Sequence, residues 1–365
     1  MRVAMYYHNQ DVRLEEMPVP EIRPGELLVR LEASGICGSD VMEWYRRPKA
    51  PLVLGHEIAG EIAAVGEEAF SKFEVRDSRF EPRTSNLEPR ECRFKEGDRV
   101  VIAHHVPCNT CYYCLNDRHT ACQTLRQTKL DPGGFAEYVR VPAINVDRGV
   151  FLLPDSISFE EATFIEPLAC VLRGQRLARL QPGNSVLVMG SGMAGQIHIK
   201  LARALGAGCI IATDIIDYRL NMARSSGADF TIQATQDLPF YIRQVNNGRL
   251  ADLVIICTGA EGAINQALSA VEHGGIILLF APSNPDTIIP LPINDLFWNG
   301  ITITTSYAGS PADYATALEL IRAGNVQVGD LITHRLGLAE TELGFKLVTE
   351  AKHSMKVIIE CQNKL

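Results

Sequence analysis

The chain has 365 residues, of which 46% are hydrophobic and 21% charged, and it carries a net charge of −8. This length predicts two or three domains, each able to bury a core of its own. The negative charge offers no general attraction for phosphate backbones, which argues against nucleic acid as a partner. Residues 1–16 lack the apolar core of a signal peptide and no stretch is long enough to span a bilayer, so we expect a cytoplasmic protein with no membrane partner.

Two different patterns divide the chain. Up to about Pro154, short β-like runs with alternating apolar residues are separated by Gly and Pro, which predicts an all-β, barrel-like domain. From about Gly183, apolar strand-like runs alternate with segments of helical periodicity, which predicts βαβ units and a parallel sheet. Beyond about Gly300, further strand-like and helix-like segments could complete either domain.

Residues 67–93 fit neither pattern, because they carry seven acids and six Arg or Lys with few aliphatic residues. Such a segment buries too little apolar surface to order itself. We interpret it as an exposed or mobile insertion, with an oligomer contact or a lid over the active site as the alternative.

Four cysteines follow one another at the spacing C-x2-C-x2-C-x7-C: Cys108, Cys111, Cys114 and Cys122. In a reducing compartment, thiols at this spacing indicate a metal, and four thiolates close a tetrahedral shell of the kind found in structural zinc sites. A ferredoxin cluster would place its fourth cysteine nearer and before a proline. Disulfides or unrelated buried thiols are the remaining alternative.

A G-x-G-x-x-G sequence follows the predicted strand 185–189 and opens a predicted helix. This context is typical of a dinucleotide-binding fingerprint, in which the glycines permit a tight turn and a close approach of the backbone to the pyrophosphate. Asp214, at the end of the next predicted strand, can accept a hydrogen bond from an adenine ribose, and Ile215 after it offers nothing to a 2′-phosphate. The pattern favours NAD over NADP, against the alternative of a glycine-rich turn beside a surface aspartate. The predicted cofactor-binding residues are Gly190, Gly192, Met193, Ala194, Gly195, Asp214 and Arg219.

Three more motifs complete the set: Gly35-Ile36-Cys37-Gly38-Ser39-Asp40, Gly55-His56-Glu57 and Glu166-Pro167-Leu168. Together with the four cysteines and the fingerprint, in this order, they resemble the zinc-dependent medium-chain alcohol dehydrogenases. The resemblance is strongest to the branch of polyol (sorbitol) and threonine dehydrogenases, and it covers nearly the whole chain apart from 67–93.

The resemblance implies a fold of class α/β plus β, in which a Rossmann domain with a doubly wound parallel sheet is inserted into a GroES-like β-barrel catalytic domain. Residues 1–153 and 300–365 would form the catalytic domain, with a structural-zinc lobe at about 97–125, and residues 154–299 the Rossmann domain. The cofactors would be NAD and two zinc ions per chain. A homo-oligomer, tetramer or dimer, is expected.

The resemblance also implies a catalytic zinc held by Cys37 and His56, with Glu57 and Glu166 each at a position that ligates the metal or exchanges with water. Which glutamate is the resting ligand stays open. Ser39 resembles the residue that passes the alcohol proton onward during hydride transfer, so the implied catalytic residues are Ser39 and Glu57. Many relatives carry a histidine five positions after the ligand cysteine, but here that position is Met42, which cannot carry a proton.

The predicted activity is hydride transfer to NAD from a secondary alcohol of a small polyol, sugar or amino alcohol. An L-threonine 3-dehydrogenase type of enzyme is the alternative. More remote is a quinone-reductase-like or non-enzymatic protein, because such zinc-free relatives generally lack the motifs that are intact here.

Overall fold

We analysed a computed structural model of the chain, which describes residues 1–67, 69 and 94–362. The described strands, β1 to β16 in chain order, are Arg2–His8, Asp11–Glu16, Leu27–Gly35, Leu52–Val53, Glu57–Val65, Arg99–Ile102, Tyr138–Val141, Val150–Leu152, Ser185–Met189, Cys209–Asp214, Phe230–Gln233, Ala251–Ile256, Val271–Leu279, Thr302–Thr305, Ile332–Gly337 and Lys356–Glu360.

Helices connect most of these strands. The described α-helices, α1 to α13 in chain order, are Glu43–Arg46, Tyr112–Leu115, Gln123–Gln127, Ala143–Gly149, Phe159–Ala162, Ile165–Leu177, Met193–Ala204, Asp217–Ser225, Leu238–Val245, Glu261–Ala270, Ile293–Trp298, Pro311–Arg322 and Thr341–Glu350. Short 3₁₀ turns occupy Arg47–Lys49, His119–Ala121, Gly329–Leu331 and Leu338–Glu340.

The first part of the molecule is built on a mixed seven-stranded sheet. Its order is β15-β16-β3-β5-β6-β8, with β7 paired to β3, and a small sheet of order β2-β1-β4 packs beside it. Because β16 pairs antiparallel with β3, the last strand of the chain joins the first third of the sequence in one sheet. Val357 and Ile359 of β16 are buried in the same core as Val29 and Leu31 of β3.

The second part is a six-stranded parallel sheet of order β11-β10-β9-β12-β13-β14. Its central strand β9 is buried at every position, as expected when helices cover both faces of a parallel sheet. Two separate apolar cores flank this sheet. This arrangement, together with the mixed sheet, confirms the predicted fold class.

The strand β14 and the helix α12 lie beyond residue 299, where the sequence analysis placed the end of the Rossmann domain. The structure pairs β14 with β13 as the edge strand of the parallel sheet. Tyr314 and Leu318 of α12 are buried in one core with Leu168 of α6. Strand β14 therefore extends the parallel sheet, whereas α12 packs on α6 in a core that also holds Ala59, Val101 and Phe151 of the mixed sheet. The next strand to join the mixed sheet is β15, which pairs with β16.

Of the charged segment 67–93, only residues 67 and 69 belong to the described part of the chain, so the prediction of an insertion there lies outside it. Among the helices that the structure describes, none has the length and apolar character that a membrane span requires.

Candidate zinc and cofactor sites

Two central strands of the mixed sheet, β3 and β5, bring together Cys37, His56 and Glu57 at their ends. Gly35 ends β3 and lies opposite Glu57, the first residue of β5, so the strand register brings the C-G-S-D loop beside the G-H-E motif. One possible ligand atom from each of the three residues lies within 4.8 Å of the others. A thiolate, an imidazole and a carboxylate with one position left open are a donor set that suits a catalytic zinc.

Asp40 contacts two of these three residues, His56 and Cys37. It ends the motif at residues 35–40, but no role was predicted for it from the sequence. Its side chain is fully buried, and its carboxylate lies 3.3 Å from His56 Nδ1 and accepts the N–H of Cys37 at 3.1 Å. A carboxylate on Nδ1 fixes the ring orientation and leaves Nε2 for a metal. Burial opposes the charged imidazolium, but Asp40 and Cys37 outweigh it and raise the pKa of His56 well above its ordinary value.

Glu57 forms a buried ion pair with Lys356, the first residue of β16. Lys356 is fully buried and Glu57 is 2% exposed. The pair lies against Gly35, where a Cβ atom would come within 2.5 Å of Glu57 Oε2 and 2.6 Å of the lysine side chain. Only glycine leaves room at position 35 for both charged groups, so the C-terminal strand contributes directly to the site.

Glu166 lies in the first turn of α6 and is 6% exposed. It is not a member of the three-residue group, in which Glu57 supplies the carboxylate. Burial raises the pKa of Glu166 to about 7, with His56 acting against this rise and Glu57 adding to it. Cys170, one helical turn further on, donates to its Oε1 at 3.5 Å. Glu166 therefore faces the group as a carboxyl that can hold a proton near neutral pH.

Cys108, Cys111, Cys114 and Cys122 converge in a lobe beside the mixed sheet. Neighbouring sulfur atoms lie 3.5 Å apart (Cys111–Cys114), 3.6 Å (Cys122–Cys108) and 3.9 Å (Cys108–Cys114), and all four thiols are free. A tetrahedron with Zn–S bonds of about 2.3 Å has edges of about 3.8 Å. The backbone N–H of Cys111 donates to Cys108 Sγ at 3.3 Å, a turn made possible by Asn109 at a φ of 60°. These residues fit a structural zinc.

The fingerprint forms the turn between β9 and α7. Gly190 has a φ of +91°, and a Cβ atom at Gly195 would lie 2.1 Å from the Gly190 carbonyl oxygen, so neither position accepts a side chain. Helix α7 begins at Met193 with Gly192 as its N-cap, which leaves the N–H groups of Met193 and Ala194 free of intrahelical acceptors. This cradle fits a pyrophosphate.

Asp214 holds the fingerprint loop in place. Its carboxylate accepts the N–H of Ser191 at 2.8 Å and that of Ile216 at 3.0 Å, and Arg219 lies 3.5 Å from it. A carboxylate offers about four acceptor sites, so capacity remains for a ribose hydroxyl. The guanidinium of Arg219 stands 3.7 Å from the Cβ position of Gly192, and its buried Nε has no acceptor within the described part of the chain.

Ser39 lies in the loop after Cys37, and its N–H donates to the Cys37 sulfur at 3.4 Å. Sequence reasoning missed two residues of this neighbourhood: Asp40 and Lys356. Of these, Asp40 was signalled by its place in the C-G-S-D motif, and Lys356 only weakly, as a lysine at the start of an apolar run.

Comparison with known proteins gives the same assignment. Residues 23–155 match the family model described as "Alcohol dehydrogenase GroES-like domain", and residues 194–323 match "Zinc-binding dehydrogenase". Sorbitol dehydrogenase of Bacillus subtilis is 31% identical and is covered to 97%, with 98% of this chain aligned. The probable D-xylulose reductase A of Aspergillus clavatus is 31% identical over 93% of this chain and 91% of its own length.

Among solved structures, alcohol dehydrogenase TADH from Thermus sp. ATN1 superposes with a TM-score of 0.82 at 29% identity, covering 99% of both chains. These relatives do not favour the threonine-type alternative. The chain carries the donors for two zinc ions and the cradle for NAD, and it belongs to the zinc-dependent medium-chain alcohol dehydrogenases, in the branch of the polyol dehydrogenases.

Proposed function

We propose that this protein oxidises a secondary alcohol of a small polyol, with NAD as the acceptor of the hydride. The observation that carries the proposal is the group of Cys37, His56 and Glu57, whose ligand atoms lie within 4.8 Å of one another. The relatives named sorbitol dehydrogenase and D-xylulose reductase support a polyol as the substrate class.

In this proposal Cys37, His56 and Glu57 hold the catalytic zinc. When bound, zinc would lower the pKa of the substrate hydroxyl and the nicotinamide would take up the hydride. Asp40 fixes the ring of His56 through Nδ1, and Lys356 offsets the charge of Glu57. Glu57 lies within the group while Glu166 does not, which supports Glu57 as the resting ligand. Glu166, with a pKa raised by burial to about 7, would exchange a proton beside the site.

Ser39 would take up the proton that leaves the substrate hydroxyl. Its backbone N–H is anchored on the Cys37 sulfur at 3.4 Å, which keeps the serine beside the metal ligand. Met42 has no proton-carrying group, so the proton would leave Ser39 through hydroxyl groups of the cofactor or through water rather than through a side chain at position 42.

The four-cysteine lobe would hold the second, structural zinc. Cys114 and Cys122 are buried together with Leu125, and this small cluster holds too little apolar surface to keep the lobe folded without a metal.

We also propose that the protein assembles with a second copy of itself through the edge of the parallel sheet. The strand β14 is the last in the sheet order. The segment that leads into it carries several large apolar side chains that are mostly exposed: Ile288 (87%), Ile293 (67%), Phe297 (74%) and Trp298 (75%). Within the described part of the chain no strand pairs with the outer edge of β14, and an unpaired edge together with exposed apolar side chains favours association. A two-fold axis would let each copy cover the edge of the other. Light scattering should show an oligomer that Phe297→Asp dissociates, and a monomer in the unchanged protein would contradict this assembly.

The substrate proposal is tested by NADH absorbance with the purified, zinc-loaded protein. The panel consists of sorbitol, xylitol, ribitol and inositol, with L-threonine, 2,3-butanediol and ethanol as comparison alcohols, each with NAD and with NADP. The proposal predicts the highest kcat/KM for a polyol with NAD. A preference for threonine or for a simple alcohol would overturn it, and zinc analysis of the same sample shows whether an inactive sample has lost its metal.

A further inference from the structure

Arg46 reaches back into the loop that carries the proposed catalytic residues. It is the last residue of helix α1, yet its side chain is only 16% exposed. Its Nε–H donates to the carbonyl oxygen of Ser39 at 2.9 Å, and one terminal nitrogen donates to Ser39 Oγ at 3.1 Å. The guanidinium lies over the ring of Tyr45, with the central carbon 4.7 Å from the ring centroid. Two of these contacts hold the side chain against the loop, and the third is with its neighbour in helix α1.

The contact with Ser39 Oγ determines what the serine hydroxyl can do. A guanidinium has only donors, so this hydrogen bond occupies one of the two lone pairs of Oγ. The second lone pair and the hydroxyl hydrogen then remain for the substrate and for the group that receives the proton. Arg46 cannot take the proton itself, because a guanidinium stays protonated in proteins.

Arg46 is also linked to the proposed metal ligands. The same terminal nitrogen lies 3.4 Å from Asp40 Oδ1, the oxygen that faces His56 Nδ1. Asp40 is fully buried, so the positive charge of Arg46 is part of what keeps this carboxylate ionised in a site of low polarity.

We propose that Arg46 is a positioning residue of the reaction: it orients the Ser39 hydroxyl for proton transfer and places a fixed positive charge beside it, in a site where Met42 offers no proton relay. This inference rests on the proposed function, because it assumes that Ser39 takes up the substrate proton. The positive charge of Arg46 would stabilise the negative charge that develops on the alcohol oxygen as its proton leaves for Ser39 Oγ.

The test is a double-mutant cycle with Arg46→Met, Ser39→Ala and the combination of both. If Arg46 acts through Ser39, Arg46→Met lowers kcat about tenfold in the unchanged protein and less than about twofold in the Ser39→Ala background. Arg46→Lys should recover part of the loss because it keeps a charged donor. The solvent deuterium isotope effect on kcat should rise in Arg46→Met, since proton transfer becomes slower, and a purely structural role would leave it unchanged.

Arg47→Met is the matched control, since Arg47 is 68% exposed and pairs at 3.5 Å with Glu43 rather than with the loop. It should leave kcat unchanged. Equal losses of kcat from Arg46→Met in both backgrounds would overturn the proposal. Loss of the catalytic zinc from Arg46→Met, measured by metal analysis, would also overturn it, because the substitution would then act through Asp40 and the metal ligands. Failure of the substrate proposal is separate from this result, because the cycle can be run with any alcohol that the unchanged protein oxidises.

Discussion

Acid should destabilise this protein partly through His198, a buried histidine of α7. Its side chain is fully buried, its Nδ1 lies 3.1 Å from the Gln175 amide nitrogen, and its ring meets the edge of Phe280 at a centroid distance of 4.4 Å. Burial lowers the pKa of His198 to about 3. In the unfolded chain the pKa returns to about 6.5. The folded state therefore holds a neutral imidazole where the unfolded state takes up a proton.

This difference in pKa makes the free energy of unfolding fall as the pH falls. The contribution of His198 to stability is complete above pH 6.5 and is lost as the pH falls toward 3, because protons then bind the unfolded chain preferentially. With about 1.4 kcal/mol per pKa unit, the free energy of unfolding should lose about 2 kcal/mol between pH 7 and pH 5, and about 4 kcal/mol by pH 3.

The assay is urea unfolding of the unchanged protein and of His198→Gln at a fixed zinc concentration, at pH 7, 6 and 5. The variant cannot titrate at this position, so its deficit relative to the unchanged protein should shrink by about 2 kcal/mol from pH 7 to pH 5. Because both proteins have the same metal sites, the comparison cancels the pH dependence of metal binding. A stability deficit that stays constant with pH would show that His198 does not contribute to the acid sensitivity.

Three further substitutions test the sites. Gly195→Ala places a methyl group 2.1 Å from the Gly190 carbonyl oxygen. We expect the Kd of NAD, measured by calorimetry, to rise at least about tenfold at unchanged zinc content. An unchanged Kd would argue against a pyrophosphate site at this turn. Lys356→Met leaves the carboxylate of Glu57 buried without its partner, which should cost about 3–5 kcal/mol in urea unfolding, and a loss below about 1 kcal/mol would show that the pair does not matter. Asp40→Asn should weaken the catalytic zinc about 10–100-fold in chelator competition; equal affinity would remove Asp40 from the metal site.

The sequence predicted those parts of the site whose residues stand close together in the chain. The four cysteines span 15 positions from Cys108 to Cys122, so their spacing alone restricts the geometry of a metal site. The fingerprint likewise lies within one strand-turn-helix unit, and its context in the chain is its signal. Both motifs can be recognised from the sequence because local backbone geometry requires these residues at these spacings.

Other features could not be predicted because they depend on tertiary contacts. Lys356 and Glu57 are 299 residues apart, and nothing in an apolar strand indicates which carboxylate a lysine will meet. The role of Arg46 depends on helix α1 turning its end back onto the loop that precedes it. The residues of strand β14 alone left its sheet open for a related reason, since either sheet could have paired with it, and the structure pairs it with β13.

We propose that the reaction is direct hydride transfer from a carbinol carbon of a polyol to NAD. The most direct measurement uses the polyol that the protein oxidises fastest, deuterated at the carbon that becomes the carbonyl, and analyses the reduced cofactor by mass spectrometry. We expect one deuterium per NADH and a slower reaction than with the unlabelled polyol. Deuterium that appears in water, or that stays in the product, would contradict it.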